Sequence, residues 1–241
     1  MSENNDVILE MKNLYVGYYR DLNILQDLNI KVQKGKITTI LGANGVGKST
    51  TLKAVYGFLK PNDGDILLDG RSVLGVPIHE RISLGLAYIP QQPGVFREMS
   101  VEENLEVGAW TFRKDKKRLK QKLEENYERF PILREKRKQK AGELSGGQQR
   151  MVEIGRTLMT DPKIILVDEP TAGLAKLLSE EVYRMLTNLR DNDGLTILLV
   201  DQEIRHALKI ADYVYVLELG RNKYEGPASD FKDLEKAFWV G

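Results

Sequence analysis

Residues Gly42-Ala43-Asn44-Gly45-Val46-Gly47-Lys48-Ser49 fill every slot of a G-x-x-x-x-G-K-[ST] run, a spacing suited to phosphate chemistry. A nucleoside triphosphate presents clustered negative oxygens, which call for many short, preorganised donors. Glycines at 42, 45 and 47 let backbone amides approach closely, and a helix starting near Ser49 would point its positive end at the same oxygens. Lys48 supplies a charge for the β and γ phosphates, the Ser49 hydroxyl suits Mg²⁺, and Thr50 is a supporting donor. Residues 42–50 are therefore predicted to bind nucleotide.

Asp168 ends the apolar run Ile164-Ile165-Leu166-Val167, where a carboxylate can reach a metal ion directly or through water. Glu169 follows and alternates to another direction, so it is expected to face an attacking water while Asp168 serves the metal. A third string, Leu144-Ser145-Gly146-Gly147-Gln148-Gln149-Arg150, lies between the first two. Ser145 and the amides near Gly146 and Gly147 begin a helix, and so offer a second anion site.

These residues need elements to hold them. Ile37 to Leu41 is a short β-rich run feeding the phosphate loop, and Ser49 to Leu59 is predicted helical, stopping at Lys60-Pro61-Asn62-Asp63-Gly64. Alternation over Ile8 to Val16, and at Leu28, Ile30 and Val32, predicts half-buried strands; Ile66 to Leu68 before Asp69-Gly70 predicts a hairpin. Ile164 to Val167, Thr196 to Val200 and Tyr213 to Leu217 are predicted strands, with Leu178, Val182, Met185, Leu186 and Leu189 forming a helical apolar stripe between the first two. Strands alternating with helices predict an α/β fold with a largely parallel sheet. From about Val101 to Met159 the pattern is helical, opened by the capping-box sequence Ser100-Val101-Glu102-Glu103. This stretch is expected to be a helical subdomain inserted into the core. Its charged portion from Arg113 to Lys140 interleaves acids with bases and is expected to be a solvated helical face rather than a nucleic-acid or lipid patch.

The composition narrows the function classes. The 36 basic and 35 acidic residues nearly cancel, so no global attraction to nucleic acid is indicated. There is no cysteine, hence no disulfide or thiolate metal site, and the two histidines, His79 and His206, lack metal-ligand spacing. The start, Met1-Ser2-Glu3-Asn4-Asn5-Asp6, lacks the character of a secretory signal, and no apolar run approaches the ~20 residues that span a bilayer. A soluble, intracellular protein is expected.

With the three strings in order, the sequence resembles the ATP-binding subunits of ABC transporters over essentially its whole length. The resemblance implies a P-loop NTPase core with a small antiparallel β region and an inserted helical subdomain, in one ABC ATPase domain. The nucleotide-binding α/β core would take approximately residues 1–92 and 160–241, and the helical signature subdomain approximately 93–159. It implies ATP and Mg²⁺ as cofactors and ATP hydrolysis as the activity. Two chains would pair head to tail over two ATP molecules, each held by the phosphate loop of one chain and by Ser145, Gly146, Gly147 and Gln148 of the other.

Further positions carry over singly. Ala87-Tyr88-Ile89-Pro90-Gln91 resembles the strand and hinge whose glutamine approaches Mg²⁺ and the attacking water, making Gln91 the candidate link to a transmembrane partner. Tyr18 is the candidate for stacking on adenine, with Tyr19 adjacent as the alternative. Gln202 stands where most of the superfamily has a histidine; an amide can donate to the γ-phosphate but cannot carry a proton. Ala175 stands where an aspartate that helps the two sites communicate is common.

Gly173-Leu174-Ala175 with Val200-Asp201-Gln202, and the ending Tyr215-Val216-Leu217-Glu218-Leu219-Gly220-Arg221, resemble the ATPases of branched-chain (hydrophobic) amino-acid importers. The resemblance implies a second ATPase subunit, transmembrane permease subunits, an indirect solute-binding protein, no nucleic acid, and a cytoplasmic place on the inner face of the cell membrane. Related ATPases of urea or amide import or of lipid export, a soluble non-transport ABC ATPase, and a nucleotide-gated scaffold remain open alternatives.

Overall fold

The computed structural model describes residues 6–19, 22–92 and 94–231. The leader reading at 1–5 and the chain ends of the 1–92 and 160–241 segments lie outside them. Two sheets organise the chain. The first is antiparallel, in the order β2-β1-β4-β5, from β1 (Val7–Val16), β2 (Leu25–Gln33), β4 (Asp63–Leu68) and β5 (Arg71–Ser72). The second has six strands in the order β10-β9-β3-β8-β7-β6. They are β3 (Ile37–Leu41), β6 (Leu86–Ile89), β7 (Ile164–Asp168), β8 (Thr196–Val200), β9 (Tyr213–Glu218) and β10 (Arg221–Pro227). Every pairing among β9, β3, β8, β7 and β6 is parallel, and β10 alone joins antiparallel.

The sequence patterns follow from where each strand lies. β3, β7 and β8 are buried at every position, so they are continuously apolar or carry only small polar residues. Their alternate side chains feed two cores. Ile40, Ile164, Leu166, Leu198 and Val200 pack with Leu9, Met11, Leu28 and Ile30 of the antiparallel sheet and with Leu52 and Val55 of α1 (Lys48–Tyr56). Ile165, Val167, Ile197 and Leu199 pack on the opposite face against the helices, through Val152 and Ile154 of α6 (Gly146–Leu158) and Val182 and Leu186 of α7 (Lys176–Asp193). Each such fully buried side chain contributes roughly 1.5–3 kcal/mol of transfer free energy before entropy is counted.

Between β6 and β7 the chain runs through α3 (Val101–Gly108), α4 (Lys116–Arg129), α5 (Pro131–Glu135) and α6. The Ser100 capping box is formed: its hydroxyl accepts from the Glu103 N–H, and the Glu103 carboxylate accepts from the Ser100 N–H. Charges along this stretch pair with one another and with neighbours, as in Arg134–Glu124, Lys138–Glu102 and Lys122–Asp161.

Three elements differ from the sequence reading. α1 ends at Tyr56 rather than Leu59, because Gly57 turns left-handed and donates to the Lys53 and Ala54 carbonyls. α2 (Ile78–Ser83) is too short to show periodicity. β10 is an edge strand of polar residues whose pairing comes from β9, not from its own pattern.

Candidate functional site

β3 runs into the phosphate loop and α1 leaves it. Gly47 caps α1 with φ 106°, and a side chain there would strike Leu25, so glycine is required for both conformation and space. It brings no capping side chain, and the first turn of α1 holds no acid, so the helix presents its free amides to an anion. Ala43, Asn44 and Gly45 are exposed at the loop crest, Gly42 and Val46 half-buried, and Thr50 buried in the helix.

Lys48 is only 4% exposed and curls over its own loop, its Nζ donating to the Gly42 carbonyl at 2.9 Å and the Ala43 carbonyl at 3.2 Å. The same ammonium lies 3.8 Å from Glu169 Oε1. Ser49 Oγ donates to Asp168 Oδ1 at 2.8 Å, and the Tyr88 hydroxyl donates to Asp168 Oδ2 at 3.0 Å. Burial and the Asp168 charge push the Tyr88 phenol up, which keeps it protonated as a donor.

Glu169 has φ 40° immediately after β7, and its N–H donates to the Val200 carbonyl on β8 at 2.8 Å. A left-handed non-glycine residue carries strain of order 1 kcal/mol. That turn sends consecutive carboxylates apart: Asp168 to Ser49 and Tyr88, Glu169 to Lys48 and to Gln91 Nε2, which donates to Glu169 Oε2 at 2.8 Å. Burial pushes the Glu169 carboxyl up, Lys48 opposes this, and Asp168 and Asp201 add to it. The structure thus brings together residues from four separated segments.

Other candidates sit apart from this cluster. Tyr18 and Tyr19 are both exposed. Gln202 is exposed at the start of the loop after β8, with its N–H held by Asp201 Oδ1 at 2.8 Å. Ser145 caps α6 in a reciprocal box with Gln148, and Gly146 and Gly147 lie against the Leu174 and Leu178 side chains. Among the described residues no bond joins that segment to the phosphate loop.

Sequence reasoning missed the device behind Gln91. Arg150 of α6 is 1% exposed; its guanidinium donates to the Pro90 carbonyl at 2.8 Å, the Gln91 carbonyl at 2.5 Å and Glu153 Oε2 at 2.6 Å. Glu153 in turn accepts the Gly94 N–H at 2.8 Å. The hinge backbone is therefore gripped by the helix that begins at Ser145. An arginine and a glutamate three apart on an otherwise apolar helix face was the available signal.

The donor set fits magnesium with a nucleotide. Among the described residues no three His, Cys, Asp or Glu side chains form a metal cage. Ser49 and Asp168 instead offer a hydroxyl and a carboxylate beside an amide-lined loop, which suits a hard cation that takes its other ligands from phosphate and water. Among the described residues no helix is long and apolar enough to cross a membrane.

Residues 25–172 match the family model described as ABC transporter. The probable branched-chain amino acid transport ATP-binding protein LivF of Archaeoglobus fulgidus is 39% identical over 218 residues, covering 90% of this chain and 92% of its own. The lipopolysaccharide export system ATP-binding protein LptB of Acidithiobacillus ferridurans is 34% identical over 230 residues, covering 94% and 92%. A solved nucleotide-free ATP-binding cassette from an ABC transporter superposes with TM-score 0.84 at 31% identity, covering 96% of this chain and 95% of that one. The expected ABC ATPase fold is thereby borne out. A phosphate loop, paired strand-end carboxylates and a capped glycine-rich helix start, together with these likenesses, identify the chain as an ATP-hydrolysing, ATP-binding subunit of the ABC transporter family.

Proposed function

We propose that this subunit powers import of branched-chain or related amino acids, through head-to-tail dimerisation on ATP followed by hydrolysis. The observation that carries the catalytic half is the cluster Lys48–Glu169–Gln91 beside Ser49–Asp168. The 39% identity to LivF supports the substrate class.

In this reading residues 1–92 and 160–241 form the nucleotide-binding core, and residues 93–159 the helical signature subdomain. The amides of residues 42–47 and of the α1 start bind phosphate oxygens, and Lys48 exchanges its loop carbonyls for the β and γ oxygens. Ser49 and Asp168 would hold Mg²⁺, with Gln91 approaching it; the ion supplies charge neutralisation at the phosphates. Glu169 orients and accepts a proton from the attacking water, and its raised carboxyl is suited to that task. Gln202 donates to the γ-phosphate, Tyr18 stacks on adenine, and Ser145, Gly146, Gly147 and Gln148 of a second ATPase chain close the site. Permease subunits would seat the pair on the inner face of the membrane, fed by a solute-binding protein.

The identity to LptB favours a second reading, lipid export by the same ATPase cycle. Capture of the tagged chain from gently solubilised native membranes separates the two. Two multi-spanning subunits, a second ATPase and a solute-binding protein that binds amino acids support import. Lipid-handling partners without a solute-binding protein, or no membrane partner at all, would sink it.

A further inference from the structure

On the far side of Glu169, three buried side chains from three elements form one directed chain of hydrogen bonds. Thr171 lies in the loop that follows Glu169 and Pro170, Tyr183 on α7, and Asp201 at the end of β8; they are 5%, 4% and 1% exposed. The Tyr183 hydroxyl donates to Asp201 Oδ2 at 2.8 Å. Its one proton is thereby used, so at 3.1 Å from Thr171 Oγ1 it accepts and Thr171 donates. Asp201 Oδ1 completes the relay by accepting the Gln202 N–H at 2.8 Å and the Glu203 N–H at 2.9 Å.

The relay therefore ties the loop that carries Glu169 to the loop that carries Gln202. Backbone contacts make each end local to its side chain: the Ala172 N–H donates to the Glu169 carbonyl, and the Glu169 N–H to the Val200 carbonyl. The His206 ring stacks on Tyr183, with centroids 5.3 Å apart and planes 2° from parallel, but takes no part in the hydrogen-bond chain, so it serves as a packing control. In this dry setting each bond is stronger than in water, and losing one leaves a buried acceptor short of a donor.

We propose that Tyr183 is a positioning residue for ATP hydrolysis, its hydroxyl fixing the Glu169 loop and the Gln202 loop relative to each other through Thr171 and Asp201. The inference rests on the reading of Glu169 and Gln202 as site residues. It acts within one chain, where Ala175 provides no side-chain cap to α7.

Steady-state ATPase, nucleotide affinity and thermal midpoint of the full chain test it. Tyr183→Phe keeps the ring and removes the relay; kcat is expected to fall about fivefold, with KM and the affinity for a fluorescent ATP analogue within about twofold of native. Asp201→Asn is expected to lower kcat similarly, and the double variant to fall about no further than Asp201→Asn alone, because both remove one interaction. His206→Leu removes the stacked ring but not the relay, and kcat is expected to stay within about twofold of native. Native kcat in Tyr183→Phe overturns the proposal, as does an equal loss in His206→Leu, which would make the effect one of packing. Failure of the underlying reading is distinct: hydrolysis would then persist in Glu169→Gln.

Discussion

Gln91 and Glu169 are joined side chain to side chain at 2.8 Å, although 78 positions separate them. The amide that lies on the hinge after β6 thus rests on the carboxylate after β7, and the backbone behind that amide is held by Arg150. A continuous path of hydrogen bonds therefore runs from Arg150 on α6 through Gln91 to the candidate base. Glu169→Gln keeps the size and replaces the carboxylate. Hydrolysis should fall by about 10²–10⁴-fold while ATP binding survives, as measured by turnover alongside nucleotide affinity.

Lys48→Ala removes a buried ammonium from two loop carbonyls and leaves Glu169 without its nearest cation. Charge-assisted contacts of this kind contribute about 1.5–3 kcal/mol, so ATP affinity should weaken by roughly ten- to a hundredfold. Calorimetric titration of the folded variant reads this directly, and native affinity would remove Lys48 from the phosphate site.

Arg150→Met should destabilise by about 3–5 kcal/mol, because Glu153 would be left buried and unpaired. Adding Glu153→Gln keeps an acceptor for the Gly94 N–H and relieves the lone charge, so urea stability should largely return. ATPase activity should not return with it, since the Pro90 and Gln91 carbonyls stay ungripped. Recovery of both together would show that Arg150 serves stability alone.

Tyr18 and Tyr19 are separable by substitution because both are exposed. Tyr18→Ala should weaken ATP binding by about 1–3 kcal/mol if aromatic stacking on the base is lost. Tyr19→Ala should leave it within a few tenths, and the reverse pattern would move the adenine contact by one residue.

Asp69 fastens the β4–β5 hairpin to the segment entering β7, accepting from Lys163 at 2.7 Å with Lys34 at 3.3 Å. The Lys163 hydrogen bond, aided by Lys34, holds its carboxyl below the ordinary 3.8. A carboxyl lowered by folding stabilises the native state above the unfolded value and loses that contribution as pH falls through the folded one. Denaturant midpoints should therefore decline on acidification below about pH 4 more steeply for native protein than for Asp69→Asn. Parallel curves would mean that this pairing adds nothing.

The sequence alone determined the elements whose chemistry is local. The glycine spacing of residues 42–49, the apolar run ending at Asp168 and the capping sequences at Ser100 and Ser145 are decided by backbone sterics and nearest neighbours, so they are visible in one dimension. The order of strands and helices was legible for the same reason, since burial on one or two faces leaves its period in the residues. Only the tertiary structure decided which of these pieces touch. Ser49 meets Asp168, and Gln91 meets Glu169, because β3, β7 and β6 end on the same side of one parallel sheet. The partners in the Arg150 grip and in the Thr171–Tyr183–Asp201 relay were illegible because each is a set of buried polar groups satisfied across elements far apart in the chain. A buried polar side chain advertises its cost in the sequence, but only the folded packing names the partner that offsets it.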